Sequence, residues 1–208
     1  QFSSPINIAI PSGNFGNAYS AWFGRDNGLS INEIFCASNV NDVLTRFIST
    51  GKLEPKETIP SVAPSMDIQI PSSLERLIYN FEGDASSFYD QLQNEKIAKL
   101  SEESVVKLQN IFSSLSFNDE MILKEIDLFY KNYGWVIDPH TATALSSSVS
   151  FSSTLPVVGV ATASPEKFSD VISKIIDEFR VESTKNEEKY FVQKANSSLV
   201  ENTIKECL

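Results

Sequence analysis

Two glycines and two asparagines stand close together in Pro11-Ser12-Gly13-Asn14-Phe15-Gly16-Asn17, directly after the apolar run Ile6-Asn7-Ile8-Ala9-Ile10. The apolar run reads as a buried strand, and the residues from Ala18 to Phe23 read as a helix, so the segment between them is a strand-to-helix turn. Gly13 and Gly16 admit positive φ and let backbone N–H groups approach an anion with no Cβ in the way. The helix start behind them adds unpaired N–H groups and partial positive charge, which suits a phosphate. Asn14 and Asn17 add amide donors. The turn needs no lysine or arginine for this chemistry. Its spacing matches neither a Walker loop nor a dinucleotide fingerprint, and on spacing alone the signal is weak, a plain tight connection being the commoner reading of such a turn.

A hydroxyl stands at what should be the same edge. Leu155 to Ala161 is almost wholly apolar and reads as a buried strand, which places Thr162 at its carboxyl end. Ligands of open α/β sheets bind at that edge, although Thr162 could equally cap the helix that follows. His140 is the only histidine and sits in Asp138-Pro139-His140-Thr141 at a helix start, where a structural role outweighs acid–base work. Asp138 reads as the cap of that helix. Arg76 reads as a solvated or paired side chain on an amphipathic helix, and Cys36 as plain core.

The elements that must position these residues alternate strand and helix. Ile31 to Ala37 is a second strand, and Asn41 caps a helix with Val43, Leu44, Phe47 and Ile48 on one face, closed by Gly51. Such a βαβ order implies a parallel sheet. Lys52 to Pro71 is polar and proline-rich, a long loop with functional potential. From about 72 to 134 the pattern turns helical. Ser101 caps a helix with Val105, Leu108, Ile111 and Phe112 at helical spacing, and Asn118 caps another that ends at Gly134. After Asp138 the α/β alternation returns. Ser164 opens an amphipathic helix with Phe168, Val171, Ile172, Ile175, Ile176 and Phe179 on one face. The expected fold is α/β, an open and mostly parallel sheet with flanking helices and an added helical segment over about 72–134. Residues 1–180 form the folded part and 181–208 a charged C-terminal extension.

Composition narrows the class further. The 208 residues carry 17 basic and 27 acidic side chains, a net charge of −10 that disfavours binding a nucleic-acid backbone. No stretch reaches the roughly 20 apolar residues of a membrane span. Two cysteines make no disulfide framework, and one histidine makes no histidine-rich metal site, so neither a metal nor an oxidising compartment is expected. A cytoplasmic globular chain is the expectation.

The loop at 11–17 resembles the cofactor-phosphate loop of the threonine synthases, pyridoxal-phosphate enzymes of fold type II, the tryptophan-synthase-β-like fold. Ala37-Ser38-Asn39-Val40-Asn41-Asp42 is similar to that family's Ala-Thr-Asn-x-Asn-Asp run. Ser65-Met66-Asp67-Ile68 with Ser72-Ser73-Leu74-Glu75-Arg76 is similar to its Ser-Met-Asp-Ile and Ser-Ser-Asn-Phe-Glu-Arg signature. Asp138-Pro139-His140-Thr141 and Ala161-Thr162-Ala163-Ser164-Pro165-Glu166 complete the order, so the resemblance extends over about residues 5–180. Departures are local: Leu74 stands for the usual Phe, Ser164 for the usual His, and Asn17 for a common Asp.

The resemblance implies pyridoxal 5'-phosphate as cofactor, held by Gly13, Asn14, Phe15, Gly16 and Asn17 at its phosphate and by Thr162 at its pyridine nitrogen. It implies conversion of O-phosphohomoserine and water to threonine and phosphate, the last step of threonine biosynthesis. The family's Schiff-base lysine lies in a Phe-Lys-Asp context upstream of the loop, and no lysine here has that context. The chain is therefore expected to be the C-terminal portion of such an enzyme, without a catalytic residue of its own and inactive alone, with exposed sheet edges that invite self-association. The alternatives are a non-catalytic threonine-synthase-like module that binds phosphate or cofactor, and another fold-type II lyase.

Overall fold

The computed structural model describes residues 4–148, 151, 154–180, 198–199 and 205. Strand β1 (Ile6–Pro11) leads into helix α1 (Gly16–Asp26), then β2 (Ile31–Ser38) and α2 (Val43–Thr50). Strand β3 (Lys52–Leu53) is followed by a loop with a 3-10 turn at Pro64–Met66, then α3 (Leu74–Glu82) and α4 (Ser86–Glu95). Next come β4 (Ala98–Lys99), α5 (Glu102–Gln109), β5 (Phe112–Ser116) and α6 (Asp119–Tyr133). The described part continues with α7 (Pro139–Ser148), β6 (Val157–Gly159) and α8 (Ser169–Ile172).

The main sheet has the order β5-β2-β1-β6, and all its pairs are parallel. Alternation along the strands sends side chains to opposite faces. Ile10, Ile34 and Cys36 pack with Ala18 and Trp22 of α1 and Leu44 and Phe47 of α2. Ala9, Phe35 and Ala37 pack on the other face with Ile122 and Ile126 of α6, Ala142 and Ala144 of α7, and Ile172. A parallel sheet covered on both faces explains why β1 and β2 read as apolar runs. The carboxyl ends of β1 and β2 lie side by side, with Pro11 opposite Ala37. The open α/β architecture expected from the sequence is the one observed.

Four local expectations are corrected. Phe112 does not continue the helix of Val105 and Leu108: α5 stops at Gln109, and Phe112 opens β5, pairing with β2 from Ile34 to Ser38. Residues 72–134 therefore hold a strand of the main sheet as well as helices. The stripe from Phe168 to Phe179 is not one helix. A 3-10 turn at Pro165–Phe168 and the single helical turn α8 replace it, while Ile172 and Ile176 still bury together. The strand Leu155–Ala161 shrinks to Val157–Gly159, and Val158 is 41% exposed. Asn41 does not cap α2, whose N-cap is Asp42; its side chain works on the loop instead. The extension 181–208 lies almost wholly outside the described residues. Among those described, no helix is long and apolar enough to cross a membrane.

Candidate functional site

The turn after β1 opens onto a cavity of about 290 Å³. Its wall contains the whole segment Pro11 to Asn17, then Ser65, Met66, His140, Thr162 and Ala163. Every residue of the loop singled out in the sequence, and Thr162 with it, thus meets one space. Thr162 comes from the exposed segment beyond β6, three residues past Gly159.

Backbone conformation in the turn departs from expectation. Neither Gly13 nor Gly16 adopts positive φ; Phe15 does, at 69°. A left-handed residue with a Cβ costs about 1–2 kcal/mol. Phe15 offsets this by burial: it is 1% exposed, with its ring 5.4 Å from that of Phe112. Gly13 is needed for closeness and not for φ. A Cβ there would stand 2.8 Å from the Ser65 carbonyl oxygen and 3.1 Å from Met66 Cα. At Gly16 a Cβ would meet Ser73 Oγ at an ordinary 3.6 Å, so of the two glycines it is Gly13 that a neighbouring segment crowds.

Gly16 is the first residue of α1, and no side chain caps that helix. Its first N–H groups and positive dipole end accordingly face the cavity without an internal acceptor from a cap. The Asn14 side-chain oxygen accepts from Ser72 N–H at 3.3 Å and its carbonyl oxygen from Ser73 N–H at 2.9 Å, which ties the turn to the start of α3. An uncapped helix start beside a close-packed glycine, with neutral donors around it, fits a phosphate group.

The loop that brings Ser65 and Met66 to the cavity is itself held by a polar lattice outside the cavity's lining. The Asn39 amide donates to Asp67 Oδ1 (2.6 Å), Ser61 Oγ (2.7 Å) and Ala63 O (3.2 Å). The Asn41 amide donates to Asp67 Oδ1 (3.0 Å) and Ile59 O (2.8 Å). Asp67 also accepts from Ser61 N–H at 3.0 Å. The Asn-x-Asn and Met-Asp signatures are thus the clasp that folds loop 59–69 over the end of β2.

His140 is 3% exposed and Asp138 1%. His140 Nδ1 lies 2.9 Å from Asp138 Oδ1, and Nε2 accepts from Ser65 N–H at 3.2 Å. Asp138 Oδ1 also accepts the N–H groups of His140 (2.9 Å) and Thr141 (3.3 Å), while the Thr141 hydroxyl donates to Oδ2. Burial pushes the Asp138 pKa up, yet hydrogen bonds from the His140 ring, Thr141 and the His140 amide outweigh it and hold the group below its ordinary value. Asp138 is the helix cap the sequence suggested.

Other candidates stand apart. Arg76 Cζ lies 5.9 Å from the centre of the Tyr19 ring, outside the cavity wall. Cys36 is wholly buried, and burial pushes its thiol up to about 12 against the lowering effect of Ser12. Among the described residues no group of three or more His, Cys, Asp and Glu side chains gathers for a metal ion. Sequence reasoning missed Ser65 as a wall of the cavity; the shared polarity of Ser61, Ser65 and Asp67 gave no sign of which would face it.

No family model matches the chain. It is 31% identical over 175 residues to a threonine synthase of Pseudomonas aeruginosa, which covers 81% of this chain and 37% of that protein. It is 32% identical over 205 residues to human threonine synthase-like 1, which covers 95% of this chain and 28% of that one. A PLP-bound threonine synthase from Brucella melitensis superposes with a TM-score of 0.86 at 26% identity, over 99% of this chain and 47% of that one. The sheet and its flanking helices are those of a fold-type II pyridoxal-phosphate enzyme. Within that class the chain is similar over most of its length to part of the threonine synthases, and it spans less than half the length of these relatives.

Proposed function

We infer that this chain is the phosphate-cradling part of a pyridoxal-phosphate-dependent threonine synthase, whose whole reaction takes O-phosphohomoserine and water to threonine and phosphate. The observation that carries the reading is the convergence of Gly13–Asn17, Ser65, Met66 and Thr162 on one cavity at the carboxyl edge of the sheet. The cofactor, when bound, supplies an electron sink for α-proton removal, loss of phosphate and addition of water. The backbone N–H groups from Gly13 to Asn17 and the start of α1 hold its phosphate, and the Thr162 hydroxyl donates to the pyridine nitrogen. A hydroxyl there donates a hydrogen bond without fixing a proton on the ring, unlike a carboxylic acid. The lysine that anchors the cofactor belongs to the rest of the parent polypeptide, and this chain alone does not turn over.

A non-catalytic reading has its own support in the likeness to human threonine synthase-like 1, which matches 95% of the chain. Phosphate release from O-phosphohomoserine by the longer polypeptide separates the two. The cradle itself is tested by calorimetric titration of the chain with inorganic phosphate. Gly13→Ala drives a Cβ against the Ser65 carbonyl, an overpacking of about 1–3 kcal/mol, so the dissociation constant should rise about tenfold or more. Failure of the native chain to bind, or equal binding by the variant with its circular dichroism unchanged, would reject the cradle.

A further inference from the structure

We propose that His140 is a positioning residue of the phosphate cradle: its neutral, Nδ1-protonated ring holds the Ser65–Met66 wall against Gly13. The inference rests on the reading of the Gly13–Asn17 turn as a phosphate cradle.

Both ring nitrogens are committed. Ser65 N–H donates to Nε2 at 3.2 Å, so Nε2 carries no proton, and Nδ1 must be the donor to Asp138 Oδ1 at 2.9 Å. Asp138 cannot swing away, because its carboxylate also accepts the amide N–H groups of His140 and Thr141 and the Thr141 hydroxyl. The first turn of α7 thereby sets the carboxylate, the carboxylate sets the tautomer and tilt of the ring, and the Phe168 ring packs on it at 4.8 Å between centroids. A fixed second partner that selects the tautomer is how imidazoles are oriented elsewhere.

What the ring holds is Ser65–Met66, a stretch of the loop outside the Asn39–Asn41–Asp67 clasp, as is Val62, whose N–H is held by Asp119. The clasp secures Ile59, Ser61, Ala63 and Asp67. The 3-10 turn binds Met66 N–H to Ala63 O and Asp67 N–H to Pro64 O, and gives Ser65 N–H no partner inside the turn. His140 takes that N–H. On its other side the same Ser65 presents the carbonyl oxygen that would lie 2.8 Å from a Cβ on Gly13. His140 itself lines the cavity, and the Ser65 peptide links its ring to Gly13, close enough that a Cβ on Gly13 would meet it. Withdrawing the acceptor frees Ser65–Met66 to move, and the wall facing the anion moves with it. Nothing in this role needs the ring to exchange a proton with a ligand.

The test uses the full 208-residue chain with inorganic phosphate as the probe, at one fixed pH. A glutamine at this position places its side-chain oxygen near Nε2, within reach of Ser65 N–H; an asparagine places its amide near Nδ1 and falls short. His140→Gln should bind phosphate within about threefold of the native chain, and His140→Asn and His140→Ala at least tenfold more weakly. Nitrogen-15 NMR of the native ring should show Nε2 unprotonated and Nδ1 protonated, and the Ser65 and Gly13 amide signals should shift together in His140→Asn. Native-like phosphate binding by His140→Asn, equal loss in His140→Gln and His140→Asn, or a proton on Nε2 overturns the inference and leaves the cradle standing. Failure of the native chain to bind phosphate overturns both. If His140→Ala unfolds, the Gln–Asn pair and the native tautomer still decide.

Discussion

Burial would raise the pKa of Asp138, but donors from the His140 ring, Thr141 and the His140 amide hold it below the ordinary aspartate value. A carboxyl whose folded value is depressed contributes stability that is fully present above its unfolded value and is lost as pH falls through the folded one. The native chain should therefore lose this contribution below about pH 4, where free aspartate titrates. Asp138→Asn should cost about 1.5–3 kcal/mol at pH 7, the usual worth of hydrogen bonds to a charged group. The gap should narrow at pH 3. Thermal midpoints of both proteins at the two pH values check it, and an equal gap at both would place the effect elsewhere. Asp138 as a cap was legible, because Asp-Pro before a run of small residues is a helix-start signal. The conformation of the phosphate turn was only half legible. Glycine marks where backbone is unusual, but not whether the need is for φ or for space. At Gly13 it is space, since the Ser65 carbonyl approaches from a loop more than fifty positions away in the sequence. The φ demand fell on Phe15, whose burial against Phe112 a local reading does not show.

Between elements, Gly51 offers a sharper case of both demands at once. It closes α2 at φ +69°, and a Cβ there would stand 2.2 Å from Val105 Cγ2 of α5. Gly51→Ala should lose about 1–2 kcal/mol for the left-handed backbone and about 1–3 kcal/mol for the crowding. Gly83 closes α3 at φ +77° with nothing within 4 Å of a Cβ, so Gly83→Ala should lose the backbone share alone. Urea midpoints of the two variants check the difference. Equal losses would mean that α5 simply moves aside. Helix ends were readable because Ser101, Asn118 and Gly134 act locally: Ser101 Oγ accepts from Ser104 N–H and Asn118 Oδ1 from Met121 N–H. β5 was not readable. Its Ser113 and Ser114 donate to Glu33 and to the Cys36 carbonyl, contacts about eighty residues distant, while Ile111 and Phe112 continue the spacing of Val105 and Leu108. The stripe from Phe168 to Phe179 misled in the opposite sense. Packing kept Ile172 and Ile176 on one face, but helical periodicity reports the face and not the hydrogen bonds beneath it.

At the scale of the whole molecule, a chain of net charge −10 places an uncapped helix start and a set of neutral donors around one cavity, and among the described residues no lysine lies in that cavity's wall. Lys52, Lys56, Lys96, Lys99, Lys107, Lys124, Lys131, Lys167 and Lys174 are all exposed. A lysine in water stays protonated near pH 7 and is a poor nucleophile; a cofactor-linking lysine needs a pocket that lowers its pKa. The main sheet points the same way. Leu155 to Ala161 has the continuous apolar pattern of a strand buried on both sides, yet β6 pairs only with β1 among the described residues, and Val158 is 41% exposed. Such a strand suits further polypeptide against its free edge, in keeping with relatives more than twice the length of this chain. The chain alone should hold pyridoxal phosphate through its phosphate and link it to no one lysine in full. Incubation with the cofactor, reduction with borohydride and peptide mapping by mass spectrometry should find labelling scattered over exposed lysines, each well below one equivalent. O-phosphohomoserine added to the same mixture should release no phosphate. In a longer polypeptide that carries this chain, one lysine outside residues 1–208 should take up a full equivalent. Stoichiometric labelling of a single lysine within the chain, with phosphate release, would show that the cavity is already complete here and that the division of labour proposed above is wrong.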